Sequence, residues 1–351
     1  MENLGRRKTK VIQVGTKKLG TGHPIAVQTM LFCPPEDVLG NVAQAVEAEQ
    51  AGCDIVRVSI PDKEAIQLIP AIKEKISIPL VADIHFDYKL ALLSVEAGVD
   101  KIRINPGNIG TSDRLKEVAK ACNAKNIPIR VGVNSGSVEK DLLAKYGGPT
   151  AEALAESGLR NIAHLEQVDF TNIILSLKAS TVKTMVDAYR YAADKTIYPF
   201  HLGVTEAGTE RMGLIKSSAG IGSLLMDGIG DTIRVTLTEE CVKEIRAGHD
   251  LLRGLDLEEG VQIISCPTCG RTTIDLISLT KKVEAATAGL QKSIKIAVMG
   301  CAVNGPGEAR EADIGIAAGG GKALLFKKGE IMGKYEESEI LGVLMDEVGK
   351  M

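Results

Sequence analysis

A chain of 351 residues that is 44% hydrophobic and 25% charged has the composition of an ordinary folded protein and can bury one large core or two. Its formal net charge of −3 argues against nucleic-acid binding through a broadly basic surface, and no apolar run approaches the roughly 18–20 residues that span a bilayer. Seven scattered cysteines do not resemble a secreted disulfide framework, and Met1–Lys10 lacks the apolar stretch of a signal peptide, so a reducing, cytoplasmic setting is expected.

From about Ala26 to Leu252 one unit recurs: a short β-branched strand, a loop, then an amphipathic helix. The predicted strands are Val27–Met30, Ile55–Ser59, Leu80–His85, Lys101–Asn105, Ile129–Asn134, Ile173–Lys178, Pro199–Thr205 and Thr232–Leu237. They alternate with helical stretches such as Lys63–Ile76, Leu115–Lys125 and Thr181–Ala193. Such alternation describes parallel βα units, and eight of them in roughly 225 residues is the size of a (β/α)8 TIM barrel. An open doubly wound sheet would normally offer a G-x-G-x-x-G turn after a strand, and none is present. The expected division is a barrel over residues 1–253, a polar linker over 254–260 and a small α+β domain over 261–351. In that last part Val261–Ser265, Ile294–Val298 and Ile314–Ala318 read as strands, and Leu276–Gly289 and Glu337–Val348 as helices. Gly319–Lys322 fails the phosphate-loop pattern, because Ile316 stands where its first glycine belongs and Ala323 follows the lysine; a hairpin or turn fits better.

Four predicted strands share an apolar–Arg–apolar core, centred on Arg57, Arg103, Arg130 and Arg234. Side chains alternate across a strand, so β-branched neighbours packed outward against helices point each guanidinium into the barrel. With Lys178 on a fifth strand, these cations outnumber the nearby acids Asp83 and Glu206. Unpaired buried charge is costly, so an anionic ligand, best a doubly phosphorylated small molecule, resolves the excess. An internal salt-bridge network is the alternative.

Cys266-Pro-Thr-Cys269 and Cys301, in a glycine-rich loop, form the second constellation. Three thiols are one short of a closed zinc site or an iron–sulfur cluster, and spacing alone leaves both open. Gly300, Gly305 and Gly307 can bring backbone N–H groups to sulfur, and Glu308 could close the site or be an exposed loop acid. Cys33, Cys53, Cys122 and Cys241 stand alone and read as small buried hydrophobes.

S-C-P-T-C-G-R-T at Ser265–Thr272, M-G-C-A-V-N-G-P-G-E-A at Met299–Ala309 and H-L-G-V-T-E-A-G at His201–Gly208 closely resemble the 4-hydroxy-3-methylbut-2-enyl diphosphate synthase family. The likeness extends to V-Q-T-M at Val27–Met30, D-I-V-R-V-S at Asp54–Ser59 and I-R-I-N-P-G-N-I-G at Ile102–Gly110, in the shorter, two-domain form. It implies a [4Fe–4S] cluster held by Cys266, Cys269, Cys301 and Glu308. It implies a barrel that binds 2-C-methyl-D-erythritol 2,4-cyclodiphosphate, with electrons arriving singly from flavodoxin or ferredoxin. Arg57, Arg103, Arg130, Asn134, Lys178 and Arg234 should then hold the diphosphate, Glu206 should donate a proton to the departing hydroxyl, and Asn304 should approach from the cluster loop. Asp83 and His85 would sit at the mouth, as a catalytic or a merely satisfied pair. The resemblance also suggests a homodimer. The final barrel helix leads away from the mouth, and a seven-residue linker spans at most about 25 Å, so each cluster domain is expected to serve its partner's barrel. Two rivals predict otherwise: a barrel with a zinc ribbon, and a phosphate-binding aldolase or pterin-type transferase whose C-terminal domain is structural.

Overall fold

The computed structural model describes residues 5–85, 87–105, 112–272, 274–290, 292–301, 312–319 and 321–351. The chain divides into two compact units, Met1–Leu255 and Asp256–Met351.

The first unit is built on eight parallel strands: β3 (Ala26–Met30), β4 (Ile55–Ser59), β5 (Leu80–Asp83), β6 (Lys101–Ile104), β7 (Ile129–Asn134), β8 (Ile173–Lys178), β9 (His201–Leu202) and β10 (Thr232–Ile233). Their order is β8-β7-β6-β5-β4-β3-β10-β9, and a parallel bridge from Leu175 to Phe200 joins the two ends into a barrel. Both faces of the strands are buried: Ile55, Val56, Ile102, Ile104, Ile129 and Val131 have no exposed surface. That is the condition of strands wrapped by helices, and it explains their near-continuous β-branched character. Registry aligns Asp83 with Arg103 and Arg103 with Arg130 across β5, β6 and β7, so one acid and two guanidiniums lie at one level of the barrel.

Local chemistry sets the helix starts. Asp37, Asp87 and Thr181 each accept a backbone N–H of the first turn, capping Val38–Gln50, Tyr88–Glu96 and Val182–Ala193. The helix expected over Lys63–Ile76 is instead a 3₁₀ turn, Glu64–Gln67, followed by an α-helix, Leu68–Lys73. Pro70 lacks an N–H and is tolerated only in a first turn, which places the α-helical start just ahead of it. The last two barrel strands are also shorter than expected.

A feature the sequence reading missed precedes the barrel. The antiparallel hairpin β1 (Ile12–Val14) and β2 (Lys17–Leu19) buries Ile12, Val14 and Leu19 against Ala26, Ile55, Val81 and Ile174. These partners lie at or near the first residues of their strands, so the hairpin closes the barrel end opposite the mouth. Each such side chain removed from water stabilises the closure by about 1.5–3 kcal/mol.

In the second unit a five-stranded sheet runs β11 (Val261–Ser265), β12 (Ile294–Met299), β13 (Ile314–Gly319), β14 (Lys322–Lys327) and β15 (Glu330–Glu336). The first three strands are parallel and the last two antiparallel. Helices Leu276–Thr287 and Ile340–Lys350 cover one face, packing Val283, Ile340, Leu344 and Val348 on Ile296, Val298, Ile316 and Leu325. β13 and β14 pair as a hairpin: Gly319 pairs with Lys322, and Gly321 takes φ +77°, open to glycine at little cost. Among the described residues no helix is long and apolar enough to cross a membrane.

Candidate functional site

Strand parity carries Arg57, Arg103 and Arg130 into the barrel, where they are 6%, 6% and 1% exposed. Asp83 is the acid shared by Arg57 and Arg103. It pairs with the Arg57 Nη2, and its Oδ1 lies 3.2 Å from Arg103 Nη1. His85 Nε2 stands 3.2 Å from Asp83 Oδ2 on the exposed side. Burial alone would raise the Asp83 pKa, but Arg57, the His85 hydrogen bond and Arg103 overcome it and hold the carboxyl well below its ordinary value.

Room for the Arg103 head comes from Gly132 on β7. A Cβ there would lie 2.5 Å from Arg103 Nε and 3.2 Å from its Cζ, so the guanidinium occupies the space a side chain would take. The carbonyl of Gly132 accepts weakly from Arg103 Nη2, at 3.5 Å.

The fourth arginine has a separate partner. Glu244, from the helix Cys241–Gly254, accepts from Arg234 Nε and Nη2, both at 3.2 Å, from Thr29 Oγ1 at 2.9 Å and from the Leu237 N–H at 3.0 Å. Sequence reasoning did not anticipate Glu244. Its signal is a lone carboxylate among Cys241, Ile245, Gly248 and Leu252 on the buried helical stripe.

Three cations, Arg130, Lys178 and Lys101, form no ion pair with an acid among the described residues. Arg130 is buried with Nε and Nη1 unpartnered; burial and the charges of Arg57 and Arg103 push its pKa well down. Lys178, half-buried at the end of β8, has its pKa lowered well below the usual value by burial and then by Arg57, Arg234, Arg130 and Arg103. Deeper in the barrel Lys101 is fully buried, its Nζ 3.4 Å from Gln28 Oε1, and burial with Arg130 and Arg57 lowers its pKa likewise. His201 bonds Thr232 through Nδ1 and leaves Nε2 unpartnered. Lys101 and His201 were also missed, although both fall on inward-facing strand positions.

Six cations thus face two acids, Asp83 and Glu244. The internal network weighed from sequence exists in part, yet it leaves Arg130, Lys178 and Lys101 without an acid partner among the described residues. A buried guanidinium with free N–H groups is costly to keep without a counter-charge, so the donor set of the barrel interior suits an anionic ligand.

At the mouth Asn134 is exposed at the end of β7, where its backbone N–H donates to Ser137 Oγ at 3.0 Å. Glu206 is exposed after β9 with φ +53°, a left-handed backbone uncommon for a non-glycine residue. Arg57, Asp83, His85, Arg103, Arg130, Lys178 and Arg234 therefore come together within the barrel or at its rim, with Asn134 at the end of β7 and Glu206 on the loop after β9.

In the second unit β11 and β12 are parallel neighbours, with Ser265 opposite Val298. Cys266 directly follows the first and Cys301 shortly follows the second. The Gly300 N–H donates to Cys266 Sγ at 3.3 Å, and the Cys269 thiol is lowered in pKa by the Arg271 N–H, with Thr272 and the Arg271 charge adding to it. N–H groups aimed at sulfur and an acidified thiol suit metal-bound thiolate. Among the described residues no three metal-ligating side chains are gathered, and Asn304 and Glu308 lie outside those residues.

Fold and site define a parallel α/β barrel with a cation-lined mouth, joined to an α+β unit that presents cysteines at adjacent strand ends. Two family models cover nearly all of it: the GcpE TIM-barrel domain over residues 9–249 and the GcpE protein C-terminal domain over 262–350. The chain belongs to the GcpE family. It is 53% identical over 343 residues to a Clostridium perfringens protein named 4-hydroxy-3-methylbut-2-en-1-yl diphosphate synthase (flavodoxin), covering 97% of this chain and 98% of that one. A Fusobacterium nucleatum protein of the same name is 56% identical over 336 residues, 95% of each chain. Among solved structures, dihydropteroate synthase from Stenotrophomonas maltophilia superposes with a TM-score of 0.53 at 14% identity, covering 71% of this chain and 97% of that one. That likeness speaks for the barrel fold alone.

Proposed function

We propose that this chain is an oxidoreductase that opens the ring of 2-C-methyl-D-erythritol 2,4-cyclodiphosphate and removes a hydroxyl, giving (E)-4-hydroxy-3-methylbut-2-enyl diphosphate for isoprenoid biosynthesis by the non-mevalonate route. Relatives named 4-hydroxy-3-methylbut-2-en-1-yl diphosphate synthase (flavodoxin) match 95–99% of the chain. The observation that carries the reading is the buried Arg130 with free N–H groups, next to Lys178 without an acid.

The residues divide the work. Arg130, Arg234, Lys178 and Asn134 hold the diphosphate, and Asp83 fixes the heads of Arg57 and Arg103 so that they meet phosphate oxygens without reorganising. Breaking the ring C–O bond leaves its electron pair on a phosphate oxygen, so the bound diphosphate goes from two negative charges to three. Arg57 and Arg103, held in place by Asp83, favour that change because their contacts strengthen as charge develops. Glu206 donates the proton with which the hydroxyl leaves as water. Asn304 approaches the substrate from the loop after Cys301, and His85 orients Asp83.

Cys266, Cys269, Cys301 and Glu308 would hold a [4Fe–4S] cluster, which when bound supplies the two electrons singly from a reduced flavodoxin or ferredoxin. The working enzyme is a cytoplasmic homodimer in which each cluster domain serves the partner's barrel. Anaerobic purification tests the reading: about four irons and four sulfides per chain, with turnover of the cyclic diphosphate by reduced flavodoxin, is the expected result. Stoichiometric zinc without iron, or no turnover by iron-replete protein, overturns it.

A further inference from the structure

We infer that Glu244 is a positioning residue for the diphosphate site: it fixes the Arg234 guanidinium by one edge so that the other edge faces the anion. The inference rests on the reaction proposed above. Glu244 is buried and lies outside the barrel, on the helix Cys241–Gly254, yet its carboxylate reaches between β3 and β10. Its two oxygens accept four donors: Arg234 Nε and Nη2, Thr29 Oγ1 and the Leu237 N–H. Such a carboxylate has no freedom to rotate. It takes the Nε–Nη2 edge of Arg234, and a planar guanidinium held by that edge has its Nη1 direction set. Among the described residues Nη1 meets only the Met30 sulfur at 3.6 Å, a weak acceptor that leaves it available.

A purely structural role explains this arrangement poorly. The rest of the helix's buried stripe is apolar or small, and a packed hydrophobe there would join helix to barrel without burying a charge. The carboxylate also offsets part of the repulsion among the guanidiniums, allowing Arg234 to sit near Arg57 before any anion arrives.

The test is a double-mutant cycle on anaerobically prepared holoenzyme, reading the Kd for the cyclic diphosphate by calorimetry and, for the single variants, KM and kcat. Glu244→Gln keeps the shape but places an amide opposite donors, and should raise Kd and KM by about ten- to a hundredfold while kcat changes by less than about threefold, since the lost contact serves ground state and transition state alike. Against an Arg234→Met background the same change should cost nothing further, because the group through which Glu244 acts is gone. Thr29→Val, which removes one donor and keeps the shape, provides a second variant should Glu244→Gln not fold; it should raise KM by about two- to fivefold. Unchanged or tighter binding in both variants, or equal losses with and without Arg234, overturns the inference. A wild-type holoenzyme that does not bind the cyclic diphosphate would instead sink the proposed reaction.

Discussion

Replacing Gly132 by alanine should weaken catalysis while leaving the barrel standing. A Cβ at position 132 meets Arg103 Nε at 2.5 Å and Nη2 at 3.1 Å, against an ordinary contact of 3.4–4 Å. The obstacle is the tip of a long side chain rather than backbone, so the guanidinium retreats by about 1 Å and β7 does not move. Its 3.2 Å link to Asp83 then stretches beyond hydrogen-bond range. A charge-assisted hydrogen bond is worth about 1.5–3 kcal/mol net, which in substrate recognition corresponds to a loss in kcat/KM of roughly ten- to a hundredfold. Stability should fall by about 0.5–2.6 kcal/mol, the loss of the pair being offset in part by about 0.4–1 kcal/mol from the stiffer unfolded chain. The assay pairs kcat/KM for the cyclic diphosphate with a thermal melt of the same preparation. Full activity would show that Arg103 need not occupy that space, and a collapsed fold would show that Gly132 serves the barrel and not the site.

Arg130→Met should abolish substrate binding yet raise stability without ligand by about 1–4 kcal/mol, since a buried cation with two unpartnered nitrogens gives way to a hydrophobe of similar length; a lower melting temperature would refute that. Asp83 is held below its ordinary pKa of 3.8 in the folded chain, so the stability it contributes is fully present above the unfolded value and is lost as pH falls below it toward the folded one. Asp83→Asn should therefore flatten the acid limb of a stability-versus-pH curve, and an unchanged slope would contradict the assignment. Glu308→Ala should yield a cluster that loses iron on gel filtration, with turnover largely gone; normal turnover would make Glu308 a bystander. Mixing Cys301→Ser with Glu206→Gln subunits should restore about a quarter of wild-type activity if sites are shared in a symmetric dimer, and no recovery after verified exchange would exclude sharing.

The barrel was legible because its signal repeats. Eight β-branched runs at βα spacing mark a parallel sheet, and apolar–Arg–apolar triplets place Arg57, Arg103 and Arg130 inside it by parity alone. What escaped was short, exposed or carried by another element. Ile12–Val14 and Lys17–Leu19 are three-residue strands, too brief to show an alternation. In Glu330–Glu336 no residue is fully buried, so an edge strand reads as a polar loop. Glu244 escaped for a different reason. Ten residues separate it from Arg234, and strand parity says nothing about a helix that lends one side chain to the interior. Pairings of that kind are set by packing, which a linear pattern does not encode. The closeness of Gly132 to Arg103 is likewise a fact of the closed barrel: the two are neighbours only once β6 and β7 lie side by side.

The small hairpin ahead of the barrel has a consequence for traffic. With Ile12, Val14 and Leu19 stoppering the far end, the barrel is a cup and not a tube. Substrate and product must use the same rim, and nothing can be pushed through from behind. A turnover is therefore a sequence of visits to a single doorway, in which each product must back out before the next substrate can enter.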